Sequence, residues 1–271
     1  MLCARRVASA VVAASLAVGG LSACRTDSTV AAYLGDAGQV SEQEVQRIWD
    51  EAYDSLTTQA RAAAAEAERQ QRAKEEELRQ AEQEVTPAPT ITATPVQMPF
   101  SRGDIVHALV SRELYDRVAA QRSITLPADV PYEEEAAQRK LPAGLEYTKL
   151  YIDNLYLQTL LLQSFLSSTP PAEEDMRLVY DSLGAAGGVE PGQDFTTWMS
   201  QQSEQNLQVV AAAAQVREQV ESAADQLHVK VNPRYQPFRV SVLEIQGETD
   251  ALQLLGTDLG DDQSMPVADV S

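Results

Sequence analysis

The chain is poor in the residues that most often carry chemistry or covalent reinforcement. Of 271 residues only Cys3 and Cys24 are cysteines, and there are two histidines, His107 and His228. So small a set excludes a disulfide framework, and a structural zinc site is not expected. Aromatic residues make up 6% of the chain, and cations are outnumbered, with 21 Lys and Arg against 40 Asp and Glu. A formal net charge of −19 repels phosphate backbones, so nucleic acid is not an expected partner. Also missing are a Gly-x-Ser-x-Gly elbow, a P-loop and a Gly-x-Gly-x-x-Gly dinucleotide loop. With two histidines, more readily explained as polar or capping groups than as a catalytic pair, no enzymatic activity and no cofactor are expected.

The chain also lacks a convincing membrane span. Its one apolar N-terminal run, residues 7–23, is short and rich in Ala, Gly and Ser, whereas a spanning helix needs about 20 predominantly apolar residues. Arg5 and Arg6 precede this run and no acidic residue interrupts it, the order of a signal peptide. It ends in Leu21-Ser22-Ala23-Cys24, which resembles the bacterial lipobox. The resemblance implies cleavage before Cys24, acylation of that cysteine, and a protein held by lipid on the outer face of the bacterial cytoplasmic membrane. Two or three acyl chains anchor stably where one is marginal, at about 0.8 kcal/mol per buried methylene. An ordinary secretory cleavage near Ala23 is the alternative. Residues 1–23 are thus read as signal peptide and 24–29 as lipidated tether. Loss of Arg5 and Arg6 takes the formal charge to −21.

Residues 30–40 place two brief extended stretches around Gly35-Asp36-Ala37-Gly38, which predicts a small hairpin. Ser41 and Glu44 have the residue types of a capping box, and Val45, Ile48, Trp49, Ala52 and Leu56 follow at helical spacing, so hairpin and first helix form one segment, 30–58. From 59 to 84 the apolar stripe fades while helix formers persist, with Glu68–Arg72 and Glu75–Arg79 at i,i+4. This predicts a solvated helical extension without the repeated apolar positions of a true coiled coil. Four prolines in 85–99 predict an extended linker, and 59–99 reads as an insertion.

Three more helices are expected at about 101–121, 144–167 and 169–184, with a proline-marked loop over 126–142. Glu173, Glu174 and Asp175 sit where they oppose the dipole of the last of these. A long helix is expected from Phe195 to about His228, then a short strand over 229–235. Residues 239–271 read as a C-terminal segment and acidic tail, loose from Gly256 onward.

This order of parts, with Gly103-Asp104-Ile105-Val106-His107-Ala108-Leu109-Val110-Ser111-Arg112-Glu113-Leu114-Tyr115 and Glu173-Glu174-Asp175-Met176-Arg177-Leu178-Val179-Tyr180-Asp181, resembles the N-terminal chaperone domain of SurA- and PrsA-type foldases. Val231-Asn232-Pro233-Arg234-Tyr235 looks like the last strand of actinobacterial lipoproteins of this family. The resemblance covers roughly 28–58 and 100–238, the latter being the main helical chaperone domain. It implies a mainly α fold, with a small β element joining the N- and C-terminal segments near Tyr33 and Lys230, and a groove for unfolded or nascent exported polypeptides. Residues 226–271 leave no room for a parvulin domain, although residues 255–260 faintly echo one of its Gly-rich turns, so prolyl isomerase activity is not expected. Tyr115, Tyr151, Tyr156, Phe165 and Tyr180 are candidate client-binding residues, because aromatic surfaces accept varied apolar segments. The alternative places each in the core, as expected for Trp49 and Trp198. A cell-envelope adaptor or spacer with a dedicated partner is the competing function.

Overall fold

A computed structural model describes residues 29–81, 92–166, 169–246 and 251–260; Cys24 and the rest of the lipobox lie outside them. Two small antiparallel sheets and seven helices are formed by the described residues, and the protein is mainly helical.

Strand β1 (Val30–Tyr33) lies between β2 (Gln39–Ser41) and β3 (Lys230–Val231), pairing Ala32 with both Val40 and Val231 and Tyr33 with both Gln39 and Lys230. Both ends of the body therefore close on one strand, as expected from the need of each short strand for a partner. Asn232 extends the pairing, its backbone N–H donating to Ala31 at 2.8 Å and its side-chain amide to Val30 at 3.0 Å. The strand expected over 229–235 stops at Val231, because Pro233 has no amide proton to donate and starts a 3-10 turn, Pro233–Tyr235.

Helix α1 (Glu42–Gln80) begins where Ser41 Oγ accepts the Glu44 amide at 3.1 Å, and it runs unbroken for 39 residues. Only Val45, Ile48 and Ala52 of it are buried. At 1.5 Å per residue the remainder projects about 40 Å beyond the body. The exposed part carries Glu66–Arg69 and Glu68–Arg72 ion pairs, while Glu75 accepts from Gln71 at 3.2 Å in place of the expected Arg79 contact. Phe100 then returns to the start of this helix, its ring 6.1 Å from that of Trp49.

Ser101 and Asp104 form a complete capping box at the start of α2 (Arg102–Gln121), which packs against α4 (Glu146–Phe165). The loop expected over 126–142 contains a further helix, α3 (Tyr132–Gln138), with Glu133, Glu134 and Glu135 in its first turn. Helix α5 (Glu173–Ala185) starts after Pro170 and Pro171 and not at the predicted Thr169, and it ends close to the predicted Gly184.

The single helix expected from Phe195 to His228 is two helices, α6 (Phe195–Ser200) and α7 (Glu204–Gln226). Two polar side chains make the break: Asp194 caps α6 by accepting the Thr197 amide at 3.0 Å, and Ser203 caps α7 by accepting the Asn206 amide at 3.1 Å. Each supplies a partner for an otherwise orphaned helical N–H, so two starts are stable where one was predicted.

The largest departure is at the C-terminal end. The C-terminal segment, for which no strands were expected and which was read as loose from Gly256, forms a hairpin, β4 (Arg239–Gln246) and β5 (Ala251–Asp258), against α5 and α7. Val240, Val242 and Leu255 have no exposed surface, and each such side chain contributes about 1.5–3 kcal/mol of burial. Apolar burial outweighs the acidic character of the flanking sequence.

Candidate functional site

The β4–β5 hairpin carries an irregularity that decides which side chains face which way. Ser241 pairs with Gly256, Leu243 with Leu255 and Glu244 with Gln253, so one extra residue on β4 is followed by one extra residue on β5. Alternation of side chains between two faces is strict in a regular strand, and each bulge reverses it locally. Leu243 and Ile245 consequently face one side of the hairpin, whereas Ser241 and Glu244, three residues apart, share a cavity wall on the other.

On the first side lies an apolar cleft of about 270 Å3. Met176 and Val179 of α5, Trp198 of α6 and Val210 of α7 form its buried floor, with Leu243 and Leu254 on the hairpin. Ile245 stands at its mouth, 43% exposed, and Gln202, Gln205 and Asn206 supply a polar rim. Such a space accommodates one or two apolar side chains and is smaller than most ligand pockets.

The surrounding polar contacts fix the cleft's walls. Arg217 on α7 pairs with the buried Asp175 on α5 at 2.9 Å. Ser182 donates to the Leu254 carbonyl at 3.4 Å, and Tyr180 to the Gln193 carbonyl at 2.5 Å. Tyr180, Phe195 and Trp198 form an aromatic cluster with ring centroids 5.5–6.1 Å apart, and the Arg177 guanidinium lies 4.2 Å from the Phe195 centroid.

The five aromatic residues singled out from the sequence do not converge. Tyr180 stands behind the Trp198 wall of the cleft. Tyr115 and Tyr151 line the cavity on the opposite side of the hairpin; Tyr115 is 3% exposed, and its hydroxyl donates to the Ser241 carbonyl. Burial pushes both of these phenols up, and the Glu244 charge adds to the rise. Tyr156 packs beside Val130 and Ile152, where its hydroxyl donates to Glu135 at 3.2 Å. Phe165 is buried beneath Arg122, whose guanidinium carbon is 3.3 Å from the ring centroid.

His107 Nε2 contacts the Arg239 carbonyl, which can only accept, so that nitrogen carries a proton. The sequence reading missed Leu243, Ile245 and Leu254. A usable signal was present in Val240 and Val242 at period two, but the bulges hide the pattern beyond Val242. No helix among the described residues is long and apolar enough to cross a membrane. No protein-family model, curated protein or solved structure matches this chain.

Proposed function

We propose that this protein is a lipid-anchored extracytoplasmic chaperone of SurA N-terminal-like type, without isomerase activity, that holds unfolded or partly folded exported polypeptides. The observation that carries this reading is the apolar cleft with Ile245 partly exposed at its mouth. It takes single large side chains from an extended client without demanding a particular neighbour. The strongly acidic surface keeps complexes soluble and apart.

The test uses the unlipidated Cys24→Ala chain and light scattering from several unrelated aggregating proteins. Near-stoichiometric suppression is expected, and Ile245→Asp together with Leu243→Asp should weaken it about tenfold by placing charge in the cleft. Failure to delay any client removes the proposal. Mass measurement of the mature wild-type N-terminus checks the anchor: acylated Cys24 is expected, and membrane release is expected for Cys24→Ala.

A second reading, an envelope adaptor or spacer, is favoured by the exposed arm of α1 beyond Ala52. It predicts capture of one envelope protein through residues 53–80 and indifference to generic clients.

A further inference from the structure

The cavity on the polar side of the hairpin has a chemistry that client holding does not use. It has a volume of about 230 Å3 and lies between α2, α4 and the β4–β5 hairpin. Three of its lining residues carry a side-chain oxygen buried without a close hydrogen-bond partner: Ser111 Oγ, Asn154 Oδ1 and Ser241 Oγ, the last beside the Glu244 carboxyl, whose charged form it favours. Their residues are 3%, 8% and 6% exposed. The Asn154 orientation is fixed because its Nδ2 donates to the Ala108 carbonyl at 2.8 Å, leaving the oxygen as the unpaired end. An orphaned buried polar group costs about 1–3 kcal/mol, so three in one cavity point to a polar partner; Asn154 Oδ1 requires a donor from it, and the two serine hydroxyls can accept or donate.

The charges select the sign of that partner. The lining contains the Asp104 and Glu244 carboxyls and no lysine or arginine. Arg139, which hydrogen-bonds Tyr151 and whose charge reaches Glu244, is paired with Glu135 outside the cavity lining. His107 keeps one ring nitrogen on the Arg239 carbonyl. Tyr147 and Tyr151, with ring centroids 6.1 Å apart and near-parallel planes, add aromatic wall. Acceptors at several points, a carboxylate and aromatic surface together match a flat cation with many N–H donors better than a compact ammonium ion.

We infer that this cavity is a binding site for a guanidinium group, supplied by a small free guanidine or by an arginine side chain of a polypeptide. Asn154 Oδ1, Ser111 and Ser241 accept its N–H groups, and Glu244 balances its charge. The volume corresponds to roughly seven waters, enough for a guanidinium head and a short alkyl stem. Burial raises the Glu244 carboxyl above its ordinary pKa, so in the empty protein this side chain opposes its own ionisation, and a bound cation relieves it. This inference stands apart from the cleft and from client holding.

Calorimetric titration of the full Cys24→Ala chain with n-propylguanidinium tests it, with n-propylurea as the uncharged ligand of the same shape. Saturable binding of the guanidinium, about tenfold or more tighter than the urea, is expected. Glu244→Gln should erase that preference, and Ser111→Ala should weaken both ligands while leaving the circular dichroism spectrum unchanged. A second titration with the peptide acetyl-Ala-Arg-Ala-amide separates the sources. Tighter binding than propylguanidinium assigns the site to an arginine side chain, and weaker binding assigns it to a free guanidine. Equal affinity for propylurea and propylguanidinium, or no saturable heat from propylguanidinium or the peptide up to about 10 mM, overturns the inference and leaves a water-filled cavity.

Discussion

Glu244 shows how one buried carboxyl couples the cavity to stability. Its pKa is raised, chiefly by burial, with opposing help to the charged form from Ser241, His107 and Arg139. Below the ordinary value of 4.5 both folded and unfolded chains hold the proton. As pH rises the unfolded chain releases it first, so the fold loses stability until Glu244 itself ionises. Glu244→Gln should therefore raise the melting temperature at about pH 7 and leave it nearly unchanged at about pH 4, read by thermal denaturation at the two values. Gly35 is a second residue whose replacement has a defined consequence. It adopts φ +54° in the turn between β1 and β2, and a Cβ there would overlap the Leu227 carbonyl oxygen at the end of α7. Since the new Cβ meets backbone that cannot swing aside, Gly35→Ala should cost about 2–3 kcal/mol in denaturant unfolding, more than the strain of a left-handed residue alone. Asp153 is the third: it accepts from Arg112 at 2.9 Å and from Tyr132 at 2.6 Å, and with burial it pushes the Tyr132 phenol up to about 12. Asp153→Ala should cost about 2 kcal/mol, because the partly exposed Arg112 recovers water and keeps Asp116.

At the scale of elements, α1 joins two physical regimes in one continuous helix. Up to Ala52 it is held by core contacts, and beyond that by propensity and side-chain pairs such as Glu66–Arg69 at 2.5 Å, each worth a few tenths of a kcal/mol. Because Phe100 returns to Trp49, a Gly/Ser segment of about ten residues can replace residues 59–97. The replacement should lower far-ultraviolet helical signal while shifting unfolding free energy of the body by less than about 0.5 kcal/mol. A larger loss would show that the arm has tertiary partners. This distinction was legible in the sequence, because a missing apolar stripe is a local property. The hairpin was not legible in the same way: Val240 and Val242 alternate correctly, but the bulges break the period beyond Val242, so that Ser241 and Glu244, three residues apart, share one side. The C-terminal hairpin matters to function more than its length suggests, since it supplies one wall of both cavities.

For the molecule as a whole, closure of both ends on β1 sets the reference for every site. Asn232 holds that closure with its side chain as well as its backbone, so Asn232→Ala should cost about 1–2 kcal/mol and speed hydrogen exchange at Ala32 and Val231 together. Exchange that speeds at only one of the two would mean that the ends open independently. The amino-acid order by itself determined the helix starts at Ser41 and Ser101 and the bare arm, because caps and apolar periodicity are local demands. Only the tertiary structure decided the packing of the final hairpin and the composition of each cavity. These depend on contacts between residues far apart in the chain, as where Asp175 meets Arg217 or where Tyr115 reaches the Ser241 carbonyl, and a single strand's pattern does not encode the element it will face.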